Sequence, residues 1–207
     1  MRCLRLSVAA GAALCAGLWM VAALPGADLP SRDDGPRFNP NGELLLPANY
    51  RQWVFLSSGL GMNYGPMAAK ADENPRFDNV FVSPSAYRYF LDTGRWPDKT
   101  VLLLEVRAAQ SKGSINIGGH FQSHLVGVEA EVKDQSRFPG KWAFFAFGGR
   151  KTATAIPASA DCYSCHAQHA AVDTTFVQFY PTLLTIAKEK RTLSPSYLKE
   201  EATPVNR

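Results

Sequence analysis

Residues 125–133 read LVGVEAEVK. Val126, Val128, Ala130 and Val132 take every second place, and Gly127, Glu129, Glu131 and Lys133 fill the places between. Successive side chains of a strand point to opposite faces, so this alternation predicts a half-buried β-strand with the charges on a solvated face. Working outward, Trp142–Phe147 (WAFFAF) follows a turn at Pro139-Gly140 and predicts a second strand, and Thr100–Arg107 (TVLLLEVR) a third. Tyr50–Leu60 reads as the first strand, and Val80-Phe81-Val82 as a short extended piece. Residues 61–76 and 109–119 carry glycine and polar residues and read as loops. One helix is well marked: Ser83 at its N-cap, Pro84 in its first turn, Gly94 just past its end. From Asp173 onward Phe176, Phe179, Tyr180, Leu183 and Leu184 recur at helical spacing, with a kink or break at Pro181. Strands with a few segregated helices predict an α+β fold built on a mainly antiparallel sheet.

The N-terminus bears on the compartment. Arg2 and Arg5 precede an uncharged, Ala- and Leu-rich run from Leu6 to Leu24, and small residues lead to Asp28. That is the layout of an export signal over residues 1–27. The run is also about long enough to span a bilayer, so an uncleaved anchor competes with cleavage. A lipid anchor at Cys15 is disfavoured because Leu14 stands where a small residue is wanted. The expected location is periplasmic or secreted, or membrane-anchored if the segment is kept. Residues 28–42 read as a flexible leader, 43–193 as one domain and 194–207 as a loose polar tail. The formal net charge of +4 is too small, and too scattered, to argue for nucleic acid as a partner.

Of four cysteines, Cys3 and Cys15 fall in the signal, which leaves Cys162 and Cys165. Two cysteines three apart close too small a loop to be a useful staple. With His166 they form Cys162-Tyr163-Ser164-Cys165-His166, the C-x-x-C-H pattern of c-type haem attachment. Each thiol adds across one vinyl group of a flat macrocycle, and the adjacent imidazole becomes an axial ligand of the iron. The competing readings are a redox dithiol, which wants a βαβ context, and half a zinc site, which wants a second ligand pair. Neither is evident in the sequence. One covalent haem c, with His166 on its iron, is the expected cofactor. Electron carriers fill the opposite position with Met or His. Met62, Met67, His120, His124 and His169 are the candidates, and none has a compelling context. His169 lies three residues past the proximal histidine and would have to cross the haem plane. An open position, able to bind a small molecule, is therefore in play.

The chain also resembles the cytochrome P-460 family, which includes the cytochromes c′-beta. The similar segments are GELLLPANYRQWV (Gly42–Val54), FVSPSAY (Phe81–Tyr87), TVLLLEV (Thr100–Val106), GVEAEVKDQSRF (Gly127–Phe138), WAFFAF, CYSCH and FVQFYPTLL (Phe176–Leu184). The resemblance implies a mainly antiparallel β fold, haem attached near the C-terminal part, and often a homodimer. Hydroxylamine-oxidising relatives cross-link a lysine to the haem from the strand matching Thr100–Val106. The matching residue here is Leu104, which cannot form that bond. Those enzymes use a distal carboxylate whose counterpart is Glu129, with a solvated strand face as the competing reading. Loss of the lysine points toward the c′-beta type, in which an apolar, often aromatic cap covers an open iron that binds nitric oxide. Phe77 and Phe81 are candidate cap residues, and a core role is the alternative for both.

Three functions follow as expectations. The first is a protein that binds nitric oxide or another small gaseous or nitrogenous ligand. The second is an oxidoreductase acting on hydroxylamine or nitric oxide, with Glu129 as proton acceptor. The third is an electron carrier with a periplasmic redox partner.

Overall fold

The computed structural model describes residues 34–64 and 75–203. The segment read as an export signal, the first part of the leader and Met67 lie outside the described residues. Five strands form one antiparallel sheet in simple chain order: β2 (Val54–Leu60), β3 (Arg76–Val82), β4 (Val101–Gln110), β5 (Phe121–Lys133) and β6 (Trp142–Ala146). A two-stranded ribbon pairs β1 (Leu44–Leu45) with β7 (Thr152–Ala153). Four α-helices accompany them: α1 (Pro84–Thr93), α2 (Asp161–His169), α3 (Pro181–Glu189) and α4 (Pro195–Glu201). The fold is α+β with a mainly antiparallel sheet. None of the described helices is long and apolar enough to cross a membrane.

Both faces of the sheet are covered, which explains the near-continuous apolar runs of β4 and β6. One face packs Val101, Leu103, Val128, Ala130, Val132, Ala143 and Phe145 against Leu44, Tyr50 and Trp53. The other packs Val82, Leu102 and Trp142 against Phe90 of α1, Leu183 and Ala187 of α3 and Tyr197 of α4. The Phe90 and Trp96 rings meet at 4.3 Å. Helix α1 ends as its sequence requires, since Gly94 takes φ 69° and donates its N–H to the Phe90 carbonyl. Ser83 occupies the N-cap position but makes no side-chain cap bond.

Several expected boundaries move. Residues 50–52 form a 3₁₀ turn and the first sheet strand starts only at Val54. Strand β3 begins at Arg76 rather than Val80, and β5 at Phe121 rather than Leu125. In β3 both faces are partly covered, and Arg76, Asp78 and Asn79 break the apolar pattern that would have announced it. Pro181 does break the helical pattern, with a 3₁₀ turn at Val177–Phe179 before it and α3 starting on it. The described part of the leader is anchored: Phe38 packs on Phe138 and Phe145, and the Asp34 carboxylate accepts from Ser85. Within the tail expected to be loose, Pro195–Glu201 form helix α4, capped by Ser194, whose hydroxyl accepts from the Tyr197 N–H. Tyr197 is buried in the helical core, and one aromatic among polar residues was too weak a signal for it.

Beyond the Leu103 face, Glu105 is buried and holds three donors: Tyr50 Oη, Arg51 Nε at 2.7 Å and Arg107 Nε. Burial alone would raise its pKa, but the bonds from Arg107, Tyr50 and Arg51 outweigh that and leave it lowered.

Two stability measurements follow. Tyr197→Ala should cost about 3 kcal/mol in urea unfolding, against about 0.5 kcal/mol or less for the exposed neighbour Leu198→Ala; equal small effects would mean that α4 does not dock. Glu105→Gln should cost about 2 kcal/mol at pH 7. Because the folded pKa is depressed, that contribution is complete above the ordinary value of 4.5 and is lost as pH falls through the folded pKa. The gap between wild type and variant should therefore close in acid, and a gap independent of pH would contradict the assignment.

Candidate haem site

Paired residues of neighbouring strands share a face, so register lays out one wall of the site. Val80 stands opposite Leu104, and Leu104 opposite Glu129. Leu102 stands opposite Glu131, which in turn faces Phe144 of β6. These six residues line a cavity of about 300 Å³, together with Asp78, Met62, Tyr64, Phe176, Cys162, Cys165 and His166.

Helix α2 supplies the opposite wall. Spacings of three and four along a helix bring Cys162, Cys165 and His166 onto one face. Both thiols are free and partly exposed. The first intervening residue of the motif fastens the helix to the sheet. Tyr163 Oη donates to the Ile156 carbonyl at 3.0 Å and accepts from the Phe144 N–H at 3.3 Å, on the outer edge of β6, where Phe145 also bridges Ala155. The Tyr163 and Phe144 rings meet edge to face at 4.7 Å.

His166 lies between the rings of Phe144 at 4.5 Å and Phe176 at 4.3 Å. Its Nδ1 is 2.7 Å from the Thr174 carbonyl, which can only accept, so the proton sits on Nδ1 and the Nε2 lone pair is left for a metal. Burial lowers the imidazole pKa, only partly offset by that carbonyl, and favours the neutral ligating form. Behind it, Glu131 Oε1 lies 3.8 Å from His166 Nδ1 and accepts from Thr174 Oγ1 at 2.7 Å. Burial, reinforced by Asp173 and restrained by the Thr174 hydroxyl, pushes the Glu131 carboxyl up to about 8.

The sequence candidates thus divide. Cys162, Cys165, His166, Leu104 and Glu129 come together around one cavity. Phe77 and Phe81 do not join them. Alternation along β3 turns Asp78 and Val80 toward the cavity and Phe77 and Phe81 away from it, and Phe81 packs on Tyr50 at 5.7 Å and Phe55 at 5.6 Å. Aromatic character near the site comes instead from Tyr64, stacked on Phe176 at 6.0 Å, and from Phe179. Burial pushes the Tyr64 phenol up to about 12. Among the possible second ligands, Met62 lines the cavity, held against Gly59, where a Cβ would strike its sulfur, and accepting from Tyr64 Oη at 3.7 Å. His120 is exposed beside Ser111, His124 is exposed, and His169 pairs with Glu200 at the surface.

The face of β5 expected to be solvated is the cavity face. Glu129 sits at its rim, exposed yet with its pKa raised by partial burial. Asp78 is raised as well, by burial first and then by the Glu129 charge. Sequence reasoning missed Glu131, Asp78, Thr174, Met62's place in the cavity and Tyr64. The signal available for the β5 face was WAFFAF, whose apolar residues on both faces require that the neighbouring strand be covered on both sides too.

Two thiols one turn apart, a neutral imidazole with its Nε2 free and an apolar wall of Val80, Leu102, Leu104 and Phe144 fit a c-type haem. Among the described residues no group of three or more His, Cys, Asp or Glu side chains could hold a metal ion by itself. The family model described as Cytochrome P460 matches residues 47–177, from the turn before β2 through the C-x-x-C-H helix to the turn that holds His166. No curated protein matches the chain. A family match over more than half of the 207 residues places this chain in the cytochrome P460 family, as a c-type haem cytochrome.

Proposed function

We propose that the protein is an exported, mono-haem cytochrome that binds nitric oxide or another small ligand at an open iron. One haem is held covalently through Cys162 and Cys165, and His166 is its axial ligand. The observation that supports this reading best is the makeup of the cavity wall. Where a lysine would bridge to the macrocycle stands Leu104, between Val80 and Glu129, and neither Leu104 nor Val80 can ligate iron. The haem, once bound, supplies an iron that takes a diatomic or nitrogenous ligand. The chain's own residues shape what reaches it. Leu102, Leu104 and Val80 exclude water, and Glu129 and Asp78, both raised by burial, can hold or release a proton beside a bound ligand. Those carboxyls keep the oxidoreductase reading alive, with hydroxylamine or nitric oxide as substrate.

A second reading, electron transfer, is favoured by one observation: the Met62 thioether lines the same cavity. It would require the sulfur to leave Tyr64 for the iron. Absorption spectra of the purified protein separate the two. Five-coordinate high-spin iron in both oxidation states, unaffected by Met62→Leu, is expected. A six-coordinate low-spin spectrum that Met62→Leu converts to high spin would establish the carrier instead.

After denaturation in acid-organic solvent the haem should stay with the polypeptide, at an intact mass of apoprotein plus one haem. Haem that extracts freely would defeat the covalent assignment, and a lysine–haem peptide in a digest would defeat the role given to Leu104.

Glu129→Gln should leave haem attachment intact and flatten the pH dependence of ligand binding above pH 4.5, the range in which the raised carboxyl loses its proton. The exposed Glu189 on α3 is the control; Glu131 is unsuited to that purpose because it touches the axial histidine's support. Identical pH profiles for Glu129→Gln, Glu189→Gln and wild type would remove Glu129 from the chemistry.

A further inference from the structure

The Thr174 carbonyl that accepts from His166 Nδ1 belongs to a tight turn, Val172–Thr175, closed by the Thr175 N–H donating to the Val172 carbonyl at 2.9 Å. The turn holds Asp173 at φ 52°, a left-handed conformation that costs a non-glycine residue energy unless its surroundings enforce it. Three consecutive residues of this turn are each gripped by a different side chain from the sheet or its flank. Lys133 Nζ donates to Asp173 Oδ2 at 3.0 Å. Thr174 Oγ1 donates to Glu131 Oε1 at 2.7 Å. Trp96 Nε1 donates to Thr175 Oγ1 at 2.7 Å, and that hydroxyl donates back to the Val172 carbonyl at 2.8 Å.

The grips are themselves tied together. Lys133 Nζ also donates to the Trp96 carbonyl at 2.7 Å and lies 5.4 Å from the centre of the Trp142 ring. Lys133 and Glu131 are next-but-one neighbours on β5 and therefore point to the same face. A lysine side chain only 11% exposed must be paired to be tolerated, and here it is spent wholly on this turn and on the residue that grips the turn's far end.

We propose that Lys133, Glu131 and Trp96 are positioning residues for the axial ligand: they clamp the Val172–Thr175 turn and so fix the Thr174 carbonyl against His166 Nδ1. The inference rests on the haem reading above and goes beyond it. An acceptor held firmly on Nδ1 makes the imidazole a stronger donor through Nε2, and a stronger donor favours ferric over ferrous iron. Loosening the clamp lets the carbonyl drift, weakens the donor and raises the reduction potential.

The test separates hydroxyl from volume. Thr174→Val keeps the shape and the backbone carbonyl but loses the bond to Glu131; Thr174→Ser keeps the bond and loses a methyl. In the haem-loaded protein, Thr174→Val should raise the one-electron potential by up to about 59 mV, a tenfold change in ferric preference, and lower the ferrous iron–histidine stretching frequency. Thr174→Ser should restore both toward wild type. Asp173→Asn, which weakens the Lys133 grip at a partly exposed residue, should shift both in the same direction as Thr174→Val. Lys99→Met, which breaks a comparable ion pair with Asp134 away from the turn, should shift neither. Haem-loaded Thr174→Val and Asp173→Asn with wild-type potential and stretching frequency would overturn the clamp. A wild-type chain lacking covalent haem would instead overturn the reading on which it rests.

Discussion

Strand β5 has to satisfy two environments at once, and the rest of the molecule is arranged around that demand. Val128, Ala130 and Val132 enter the core shared with Leu103, Phe145 and Trp53. The residues between them, Glu129, Glu131 and Lys133, face the cavity and the turn behind His166. A one-residue slip of register would drive three ionisable side chains into a core and three apolar ones into the site. The register is therefore fixed by the cost of burying unpaired charge as much as by apolar packing. Its neighbours share the constraint. Leu102 and Leu104 on one side and Phe144 on the other stand opposite the two glutamates and close the apolar part of the wall. The same pairing that makes a five-strand meander thus sets the order of groups along the cavity face, from Asp78 and Val80 through Leu104 to Glu129 and Glu131.

The fold class and the family's C-x-x-C-H segment were legible because each rests on short-range sequence. Alternation marked the C-terminal half of β5, Ser83-Pro84 and Gly94 marked α1, and C-x-x-C-H is a local motif. What escaped depends on partners distant in sequence. Glu131 and Lys133 read as solvated because alternation shows that two faces differ, not what covers either. The cover is α2 and the Val172–Thr175 turn, some forty residues downstream. Phe77 and Phe81 are cap candidates only through the resemblance, with a core role as the alternative. The position of β3's faces was set by pairing with Leu104 and Arg107, which the sequence does not display. Tyr197 and the described leader read as loose chain for the same reason: a single docked aromatic ring in each, buried Tyr197 and partly buried Phe38, is averaged away by composition.

Leu104 changes more than the possibility of one covalent bond. A lysine at that place would bring a charged or nucleophilic nitrogen between Val80 and Glu129. Leucine leaves an uninterrupted apolar strip across β3 and β4, with carboxyls only at its margins, Asp78 on one side and Glu129 on the other. Low polarity disfavours ionised forms at those margins: burial raises both carboxyls, and the Glu129 charge adds to the upward shift of Asp78. The two sides of the site are then unlike in kind. On the His166 side the polar groups are paired and held by Thr174, Glu131, Lys133 and Trp96 in a network with fixed geometry. On the Leu104 side, Asp78 and Glu129 border an apolar wall, and burial raises the pKa of both carboxyls. A networked support behind His166 and a carboxyl-bearing rim beside Leu104 are both consequences of which residues of β5 face which downstream segment.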